Sequence, residues 1–585
     1  MLKANCFIDL LDTPMGRRNS YLCFANANEG GSQFGKNTLY LATCKSGGSG
    51  MVDLMRPNTC RQIKLELFKN GQKLPTVIDT TESEVILRSD AGSIRFCIAG
   101  TSLVYAKGTD GLALKLSTTA TFFGTSVDLG GGQWKFNFGE GMARFLPFTG
   151  TVTPLPMGSF MAVPDEKGEL FLGIEEHLLD MNKADLAGYP GYEEAVDALQ
   201  REFDAFCDSL YPSLPAEFEP MRKQALFTTW SLMVGKDGVF VYQHNMVKMM
   251  RFVFESCFGW QQAMQAIWLS KDIRLAWDVL MSGFDIQDEN GRIADAVSHK
   301  SGMGGSMKPP FQGVALKWLM ENRDLSSIPV EDKKFVYDRM KKWLDFFYTF
   351  RDLDGDGIWE NQSPLETGWE DAAYFYVGFP LASPDMNAYT VIMMDALAAL
   401  GRTIGVPEEE CAALTARADA LTKKIIDMFW TGERWVAVNP TTGAKADSLS
   451  LPLFCALILG KRLPQDIIDK TVDFIFSDNG FATPFGFSSE SVNSPYFHHG
   501  FTAGSVIIPA QLILCLALEA CGREDLAKEM GLRYARTLRD NGMFHIINAL
   551  DGSGERGLVA FGEKQLFWSA WASSGYLFFA DRYGK

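Results

Sequence analysis

The sequence predicts a multi-domain β + α chain in which an N-terminal antiparallel β-sandwich precedes a large helical domain. Residues 1–186 contain short strand-like runs between Gly-rich turns, whereas residues 215–585 contain about a dozen amphipathic helical segments. A helix bounded by Pro and Gly over residues 187–214 would link the two parts. About twelve helices would pair into half as many hairpins, as in an (α/α)6 barrel, but this pattern equally fits another large helical array.

The β-sandwich prediction depends on alternating side chains. Ile94, Phe96 and Ile98 alternate with Arg95 and Cys97. Asp90-Ala91-Gly92 provides a turn in front of them. Runs such as LALKLST repeat this pattern between further Gly-rich turns. Many short strands with such turns are typical of two packed antiparallel sheets.

Two segments show the helical pattern most clearly. Apolar residues recur at spacings of three and four within residues 332–347 and within residues 385–400, so each segment has one apolar face. Gly401 is predicted to cap the second helix at its C-terminus. The two faces consist of Val336, Met340, Trp343, Leu344 and Phe347, and of Tyr389, Ile392, Met393, Ala396, Leu397 and Leu400.

Composition and charge disfavour several functional classes. The chain has 585 residues and a net charge of −16, which argues against nucleic-acid binding because that needs clustered Lys and Arg. No apolar run reaches the about 18 residues of a membrane span, and the N-terminus lacks a signal-peptide pattern. The 11 Cys show no CxxC spacing, so we expect reduced thiols in a cytoplasmic protein that contacts no membrane.

Residues 352–371, with the sequence DLDGDGIWENQSPLETGWED, form the most informative segment of the chain. They lie between two predicted helices and combine turn-forming Asp and Gly with further acids and tryptophan. Trp260, Trp359 and Trp369 are predicted to lie in loops, where their rings could stack on the apolar faces of sugars. Because paired carboxyl groups cleave glycosidic bonds, the segment indicates carbohydrate chemistry.

Six segments that are spread over most of the chain occur in a characteristic order. They are RNSY (18–21), FGWQQAMQAIWLSKDIRLAWDVLMSGFDIQDENGRIAD (258–295), MKPPFQG (307–313), the acidic segment (352–371), SPDMNAYTVIMMDALAALGR (383–402) and QLFWSAWASSGYLF (565–578). In this order they resemble the six-hairpin (α/α)6 glycosidases, specifically the glycoside hydrolase family 63 and trehalase-like group. The resemblance implies a barrel that cleaves α-glucosidic bonds with inversion.

The resemblance also implies which residues act, and shows where this chain departs from the family. The family's general acid falls on Glu370, where relatives have Asp, and Asp371 stands next to it. The family's sugar-holding carboxylate falls on Gln261, its Arg on Ala503 and its general base on Ile547. An altered acid is therefore expected, and the base is not at the family's position.

Glu370 is predicted to be the general acid, with Asp371 tuning it. Inverting hydrolysis needs a protonated carboxyl at the leaving oxygen and a carboxylate that activates water, about 6.5–9.5 Å away across the sugar. Adjacent residues cannot flank a sugar in this way, so the base must come from elsewhere in the chain. The acidic pair also fits a simpler interpretation, in which its charges stabilise the N-terminus of the next helix.

The candidates for the general base are Glu555, Glu563 and His545, which lie near the C-terminal helix. Each also fits an ordinary loop acid or a hydrogen-bonded structural histidine. The pair His498-His499 directly precedes the altered family block FTAGSVI. Because the chain has only 6 His, we note this pair together with His545. The residues predicted to bind substrate are Trp260, Gln261, Lys308, Gln312, Trp369, His499 and Trp568.

The leading functional hypothesis is a glycosidase that acts on a small, α-linked saccharide or glycoside without an organic cofactor or catalytic metal. Asp352, Asp354 and Asp356 imitate the start of a calcium loop, but Ser363 stands where the closing Glu is expected. These acids fit either a structural calcium site or a turn in which Asp side chains accept backbone N–H groups.

Two other functions fit the sequence. A sugar epimerase, isomerase or lyase on the same barrel would use His545 or His499 as proton carrier, and a non-catalytic carbohydrate-binding protein would use the barrel without turnover. Labelled oxygen from water would mark hydrolysis among these three. The sequence predicts no oligomeric state and identifies neither the sugar nor the aglycone.

Overall fold

The computed structural model places an antiparallel β-sandwich before a ring of helices. A helix over Tyr192–Leu210 (α1) lies between them in the chain. The residues that the structure describes are 3–26, 38–43, 62–118, 124–137, 142–177, 181–236, 242–251, 256–297, 305–499, 501–555, 557–558, 564–565 and 567–585.

Two eight-stranded antiparallel sheets form the sandwich. The strands are β1 (Met15–Gly16), β2 (Leu22–Asn26), β3 (Leu39–Thr43), β4 (Gln62–Lys69), β5 (Gln72–Lys73), β6 (Val77–Thr80), β7 (Val85–Ser89), β8 (Gly92–Ile98), β9 (Leu103–Gly108), β10 (Ala113–Thr118), β11 (Thr125–Gly130), β12 (Gln133–Asn137), β13 (Met142–Thr149), β14 (Thr151–Leu155), β15 (Ser159–Val163) and β16 (Leu170–His177). One sheet has the order β1-β2-β3-β4-β10-β15-β14, with β5 paired to β4, and the other has the order β11-β12-β13-β16-β9-β8-β7-β6.

Burial alternates along most of these strands as the sequence predicts, although Cys97 of β8 is buried like its neighbours Phe96 and Ile98. Ile94 and Phe96 of β8 are fully buried, whereas Arg95 between them is half-buried. Leu114 of β10 lies opposite Leu67 of β4, and both are fully buried. The predicted β-sandwich is therefore confirmed, and its core lies between the two apolar sheet faces.

Twelve helices of ten residues or more follow α1 in the described residues. They are α2 (Arg222–Ser231), α3 (Gly259–Trp268), α4 (Ile273–Ser282), α5 (Gln312–Asn322), α6 (Val330–Phe350), α7 (Pro384–Ile404), α8 (Glu408–Phe429), a 3₁₀ helix over Leu451–Arg462, α9 (Gln465–Ile475), α10 (Ile508–Ala520), α11 (Glu524–Asn541) and α12 (Ala570–Tyr583). Short two-residue ladders, such as Val506–Ile507 paired with Ile546–Ile547, join the loops that precede the inner helices.

The twelve helices form two concentric rings. The inner ring runs α3, α5, α7, the 3₁₀ helix, α10 and α12, and α12 closes it against α3. The outer helices α2, α4, α6, α8, α9 and α11 each pack on a neighbouring inner helix. Inner helices such as α3 and α10 are buried almost throughout, whereas α8 has one buried face. This arrangement confirms the predicted (α/α)6 barrel.

The predicted apolar faces of α6 and α7 are buried, but the predicted cap of α7 was wrong. The helix continues through Gly401 to Ile404 and ends at Gly405, which adopts the left-handed conformation with φ +84°. A Cβ at Gly401 would lie 3.0 Å from Cys411 Sγ of α8. Glycine at position 401 therefore permits close packing of α7 on α8 and does not end the helix.

The predicted loop position was wrong for Trp260 and right for Trp359. Trp260 lies inside α3 and not in a loop. Trp359 does lie in a loop, but its ring is fully buried, stacks on Phe347 at 4.3 Å and donates to Thr390 Oγ1. Trp359 therefore belongs to the barrel core.

The proposed division of the chain at residues 186 and 214 stays a prediction; the sandwich strands end at His177 and the barrel helices begin at Arg222. Nine cysteines lie in the described residues, and each is a free thiol. Among those residues, no helix combines the length and the apolar character that crossing a membrane requires.

Candidate active site

The acidic segment crosses the mouth of the barrel, at the end where the inner helices begin. Glu370 contacts Lys308, which precedes α5, and Asp371 contacts Thr502, which precedes α10. Helices α5 and α10 occupy opposite positions in the inner ring. The two adjacent carboxylates therefore face opposite sides of the barrel mouth.

Asp295, Lys308 and Glu370 form a buried group that we call the lysine cluster. Lys308 Nζ lies 2.5 Å from Glu370 Oε1 and 3.7 Å from Asp295 Oδ2, and it also donates to the Leu365 carbonyl at 2.7 Å. The side chains of Lys308 and Asp295 are only 6% and 3% exposed, so the charges interact with little screening by water. Two carboxyl groups thus share one ammonium group.

The electrostatics of the lysine cluster raise the pKa values of Asp295 and Lys308. Burial raises the pKa of Asp295 to about 6, and the charge of Glu370 adds to this, although Lys308 opposes it. Burial disfavours the charge on Lys308, but Glu370 and Asp295 outweigh that effect and raise the pKa of the ammonium group. Asp295 is therefore a carboxyl group that takes up a proton near pH 6.

Asp371, His498 and Thr502 form a second group, the histidine cluster, on the other side of the segment. Thr502 donates through its hydroxyl to Asp371 Oδ1, and His498 Nε2 lies 3.0 Å from Asp371 Oδ2. The imidazole is about half exposed and the carboxylate is 26% exposed. The histidine cluster therefore places an imidazole against a carboxylate at the partly exposed side of the segment.

Glu490 lies beneath the histidine cluster and is fully buried. Ser450 Oγ donates to its carboxylate at 2.5 Å and Ser494 Oγ donates at 2.6 Å. Burial raises the pKa of Glu490, and the negative charge of Asp371 contributes in the same direction. Glu490 therefore fixes the loop that carries His498 by accepting hydrogen bonds from both serines.

A row of aromatic rings supports the acidic segment from within the barrel. Trp369 packs edge to face on Trp260 at 6.1 Å, Trp260 packs on Trp571 at 5.4 Å, and Trp571 stacks on His545 at 5.6 Å. A Cβ at Gly368, which has φ +73°, would lie 2.6 Å from Trp260 Cζ2. Glycine at that position allows the segment to rest directly on the tryptophan.

The structure brings several predicted residues together at this mouth. Trp260 and Trp369 are 3% and 0% exposed, so they support the segment and present no open face. Gln261 accepts from the Phe258 N–H through Oε1 at 3.3 Å and thereby caps α3. Gln312 donates to the Gly259 carbonyl at 3.2 Å and ties the start of α5 to the start of α3.

The predicted residues of the C-terminal region make contacts other than those of the lysine cluster. Burial lowers the pKa of His545 to about 4, so its imidazole is neutral at neutral pH. His499 packs against Phe497 at 5.0 Å, and the Trp568 backbone N–H donates to the Asp12 carbonyl of the N-terminal part at 2.8 Å. Glu555 donates its N–H to the Ile546 carbonyl at 2.9 Å. Glu563 lies outside the described residues.

Three residues of the site were missed by sequence reasoning: Asp295, Glu490 and Thr502. Asp295 ends the segment GRIAD, within a block that carries the family resemblance, and His498 was noticed only as part of a pair. Glu490 stands in a Ser-rich stretch without a motif, and Thr502 stands in FTAGSVI, the block that departs from the family's pattern. Thr502 acquires its role through a contact with Asp371, 131 positions away in the chain, which no local pattern predicts.

Asp352, Asp354 and Asp356 place one carboxylate oxygen each within 4.8 Å of the others. Each also accepts a backbone N–H, as Asp356 does from Ile358 at 2.7 Å, which the turn interpretation predicts; the calcium site stays a prediction. Asp352 Oδ1 is buried and has no hydrogen-bond partner in the described structure. Burial and these three charges raise the pKa of Glu360 to about 7. This oxygen-rich set fits Ca²⁺.

An open cavity of about 760 Å³ lies at the opposite end of the barrel. Its charged side chains pair with one another: Lys317 with Glu321 at 2.5 Å and Arg462 with Asp395 at 2.5 Å. The cavity contains neither the acidic segment nor the aromatic row. We therefore place the candidate active site at the mouth where the inner helices begin.

The fold and the site define the class of protein. A closed ring of six helical hairpins, with a carboxyl-bearing segment across its mouth, is the architecture of the six-hairpin glycosidases. The chain belongs to the family described as the mannosylglycerate hydrolase MGH1-like glycoside hydrolase domain, whose model matches residues 256–569. The family match covers α3 to the start of α12 and includes both clusters.

Solved structures agree with this fold. A mannosylglycerate hydrolase of glycoside hydrolase family 63 from Thermus thermophilus is 14% identical, with a TM-score of 0.52 over 61% of this chain and 99% of its own. A bacterial glucoamylase in complex with acarbose is 10% identical, with a TM-score of 0.58 over 100% of this chain and 95% of its own. No curated protein sequence matches the chain.

Proposed function

We propose that this glycoside hydrolase cleaves a small, α-linked saccharide or glycoside by an inverting acid/base mechanism, without an organic cofactor. The observation that carries the proposal is the lysine cluster. Glu370, at the position that the resemblance gives to the general acid, lies 2.5 Å from a buried ammonium group and shares it with Asp295. Two carboxyl groups held around one ammonium group at the barrel mouth supply the ionisable groups that acid/base cleavage of a glycosidic bond needs.

Glu370 delivers the proton in this proposal, and its neighbours prepare it. Lys308 fixes the carboxyl group through Oε1 and neutralises one negative charge of the cluster. Asp295 is the second carboxyl group and takes up a proton near pH 6. Trp260 and Trp369 keep water away from the lysine cluster's side of the segment, since both are buried there.

We assign water activation to Glu555. Gly554 pairs with Ile547, the position at which the family resemblance places the base, and Glu555 donates to the neighbouring Ile546 carbonyl. The chain thus carries a carboxylate on the strand beside the family's base position. His545 is less suited to this role, because its ring is buried and stacked on Trp571.

A sugar epimerase, isomerase or lyase is the second candidate. The histidine cluster favours it, because His498 and Asp371 form a proton-binding pair in contact with the acidic segment. Hydrolysis in H₂¹⁸O places labelled oxygen at the released anomeric carbon, whereas isomerisation or elimination does not. Binding of sugars without any conversion would instead indicate a carbohydrate-binding protein.

The decisive experiment replaces Glu370 by Gln and measures turnover on a panel of α- and β-linked disaccharides and aryl glycosides. We expect a loss of about 10²- to 10⁴-fold, the usual contribution of a general acid, with the fold intact by circular dichroism. Glu433→Gln, which changes an 82% exposed carboxylate, is the matched control and should keep full activity. Near-wild-type turnover by Glu370→Gln would show that Glu370 is not the general acid. NMR that identifies the anomer released first tests whether cleavage proceeds with inversion.

A further inference from the structure

Tyr376 and Tyr496 form an exposed aromatic surface beside the histidine cluster, which we call the tyrosine platform. Their rings are near-parallel, at an interplanar angle of 17° with centroids 6.4 Å apart. They are 53% and 54% exposed, although aromatic rings elsewhere in the described barrel are mostly buried. Two open, aligned rings at the rim of a candidate active site require an explanation.

Polar anchors hold both tyrosines in place. The Tyr376 hydroxyl lies 3.2 Å from Asp447 Oδ1 and accepts the Asp447 N–H at 3.2 Å. The Tyr496 N–H donates to Ser494 Oγ at 3.2 Å, and Ser494 in turn donates to the buried carboxylate of Glu490. The Tyr376 side chain and the Tyr496 backbone are therefore positioned before any ligand arrives, which lowers the entropic cost of binding.

The platform is continuous with the candidate active site. His498 contacts the Tyr496 carbonyl through Nδ1 at 3.2 Å and Asp371 through Nε2 at 3.0 Å. Tyr376 lies in the short 3₁₀ helix Ala373–Val377, directly after the acidic pair. One imidazole thus bridges the platform and the acidic segment.

We propose that the tyrosine platform binds a pyranose ring of the substrate that lies beyond the two units joined by the cleaved bond. The proposal rests on the proposed glycosidase function and narrows its substrate to saccharides of at least three units. The apolar C–H face of a pyranose packs on aromatic rings, and Asp447, paired with Arg434, supplies polar groups for its hydroxyls at the edge. The buried Trp260 and Trp369 offer no such open face.

The test compares di- and trisaccharides of the same linkage on wild type, Tyr376→Ala and Tyr496→Ala. Wild type should show a higher kcat/KM on the trisaccharide, and each substitution should lower the trisaccharide-to-disaccharide ratio by about tenfold. Phe350→Ala is the matched control, because it removes a 42% exposed aromatic ring outside the platform; it should leave the ratio unchanged. A ratio that neither tyrosine substitution alters would overturn the platform.

A separate binding measurement distinguishes failure of the platform from failure of the proposed function. Absence of turnover by wild type on every saccharide would reject the proposed function. Titration of wild type with maltotriose, followed by NMR, then decides the platform. Binding that Tyr376→Ala and Tyr496→Ala weaken supports it, whereas no binding, or equal binding by all three proteins, rejects it.

Discussion

Lys308 Nζ lies 2.5 Å from Glu370 Oε1, and this ion pair joins two loops 62 positions apart in the chain. The Lys308 side chain is 6% exposed and that of Glu370 is 19% exposed. Burying either charge alone would be costly, so each residue fixes the position of the other. The pair thereby ties the acidic segment to the start of α5 at the barrel mouth.

Replacing Lys308 by Met should destabilise the protein by about 3–5 kcal/mol, because it leaves the buried Glu370 and Asp295 carboxyls without a counter-charge. The double variant Lys308→Met/Glu370→Gln should recover part of that loss, as measured by urea denaturation. Lys317→Met is the control, since its pair with Glu321 is exposed and should cost under about 1 kcal/mol. Equal losses in Lys308→Met and Lys317→Met would contradict a buried ion pair.

Asp295 should make stability fall as the pH rises from about 4 to 6. Its pKa is about 6 in the fold and about 3.9 in the unfolded chain, so the unfolded chain loses its proton first and gains relative stability. Asp295→Asn removes this titration, which is worth about 3 kcal/mol. Urea denaturation of both proteins at pH 4, 5, 6 and 7 checks it, and parallel curves would exclude a raised Asp295 pKa.

His545 should act in the opposite sense over nearly the same pH range. Its pKa is about 4 in the fold and about 6.5 in the unfolded chain, so stability should fall by about 3 kcal/mol as the pH drops from 6.5 to 4. His545→Gln removes this loss. The pH effects of Asp295 and His545 on stability oppose each other in the wild type, so only the single variants separate them. If the free energies of unfolding of His545→Gln and wild type differ by the same amount at every pH, the pKa of His545 is not lowered in the fold.

Gly368→Ala should be more damaging than an alanine at a comparable open turn. The new Cβ would lie 2.6 Å from Trp260, so the aromatic row must shift, at a cost of about 1–3 kcal/mol beyond backbone strain. Gly443→Ala, with φ +70° and open space around it, should cost only the strain of about 1–2 kcal/mol. Thermal denaturation and tryptophan fluorescence compare them; identical melting temperatures would argue against the Trp260 contact.

Calcium should stabilise the loop of Asp352, Asp354 and Asp356, because a cation relieves the repulsion among three carboxylates. Millimolar Ca²⁺ should raise the melting temperature of wild type, EDTA should reverse the shift, and Asp354→Asn should abolish it. Asp165→Asn is the control, since Asp165 also accepts backbone N–H groups in a turn. If Ca²⁺ does not change the melting temperature, the three acids form only a turn and bind no calcium.

The candidate site was partly predictable. The acidic segment, Lys308, Gln312 and Trp369 were all expected near one another, because each stands in a motif whose order along the chain resembles a known family. Asp295 and Thr502 were not expected. Their contacts with Lys308 and Asp371 depend on how separate loops meet, and neither residue stands at a position to which the family resemblance gives a role.

The sequence by itself determined the two-part fold. Alternation such as that of Ile94 and Phe96, and the apolar faces of α6 and α7, are local consequences of strand and helix periodicity, and the ordered motifs specified the barrel. Tertiary structure decided the rest. Gly401 proved to be a packing position, because the approach of α8 and not the local sequence requires a glycine there. The adjacent Glu370 and Asp371 acquired different partners because ring closure brings Lys308 and Thr502 to opposite sides of one segment.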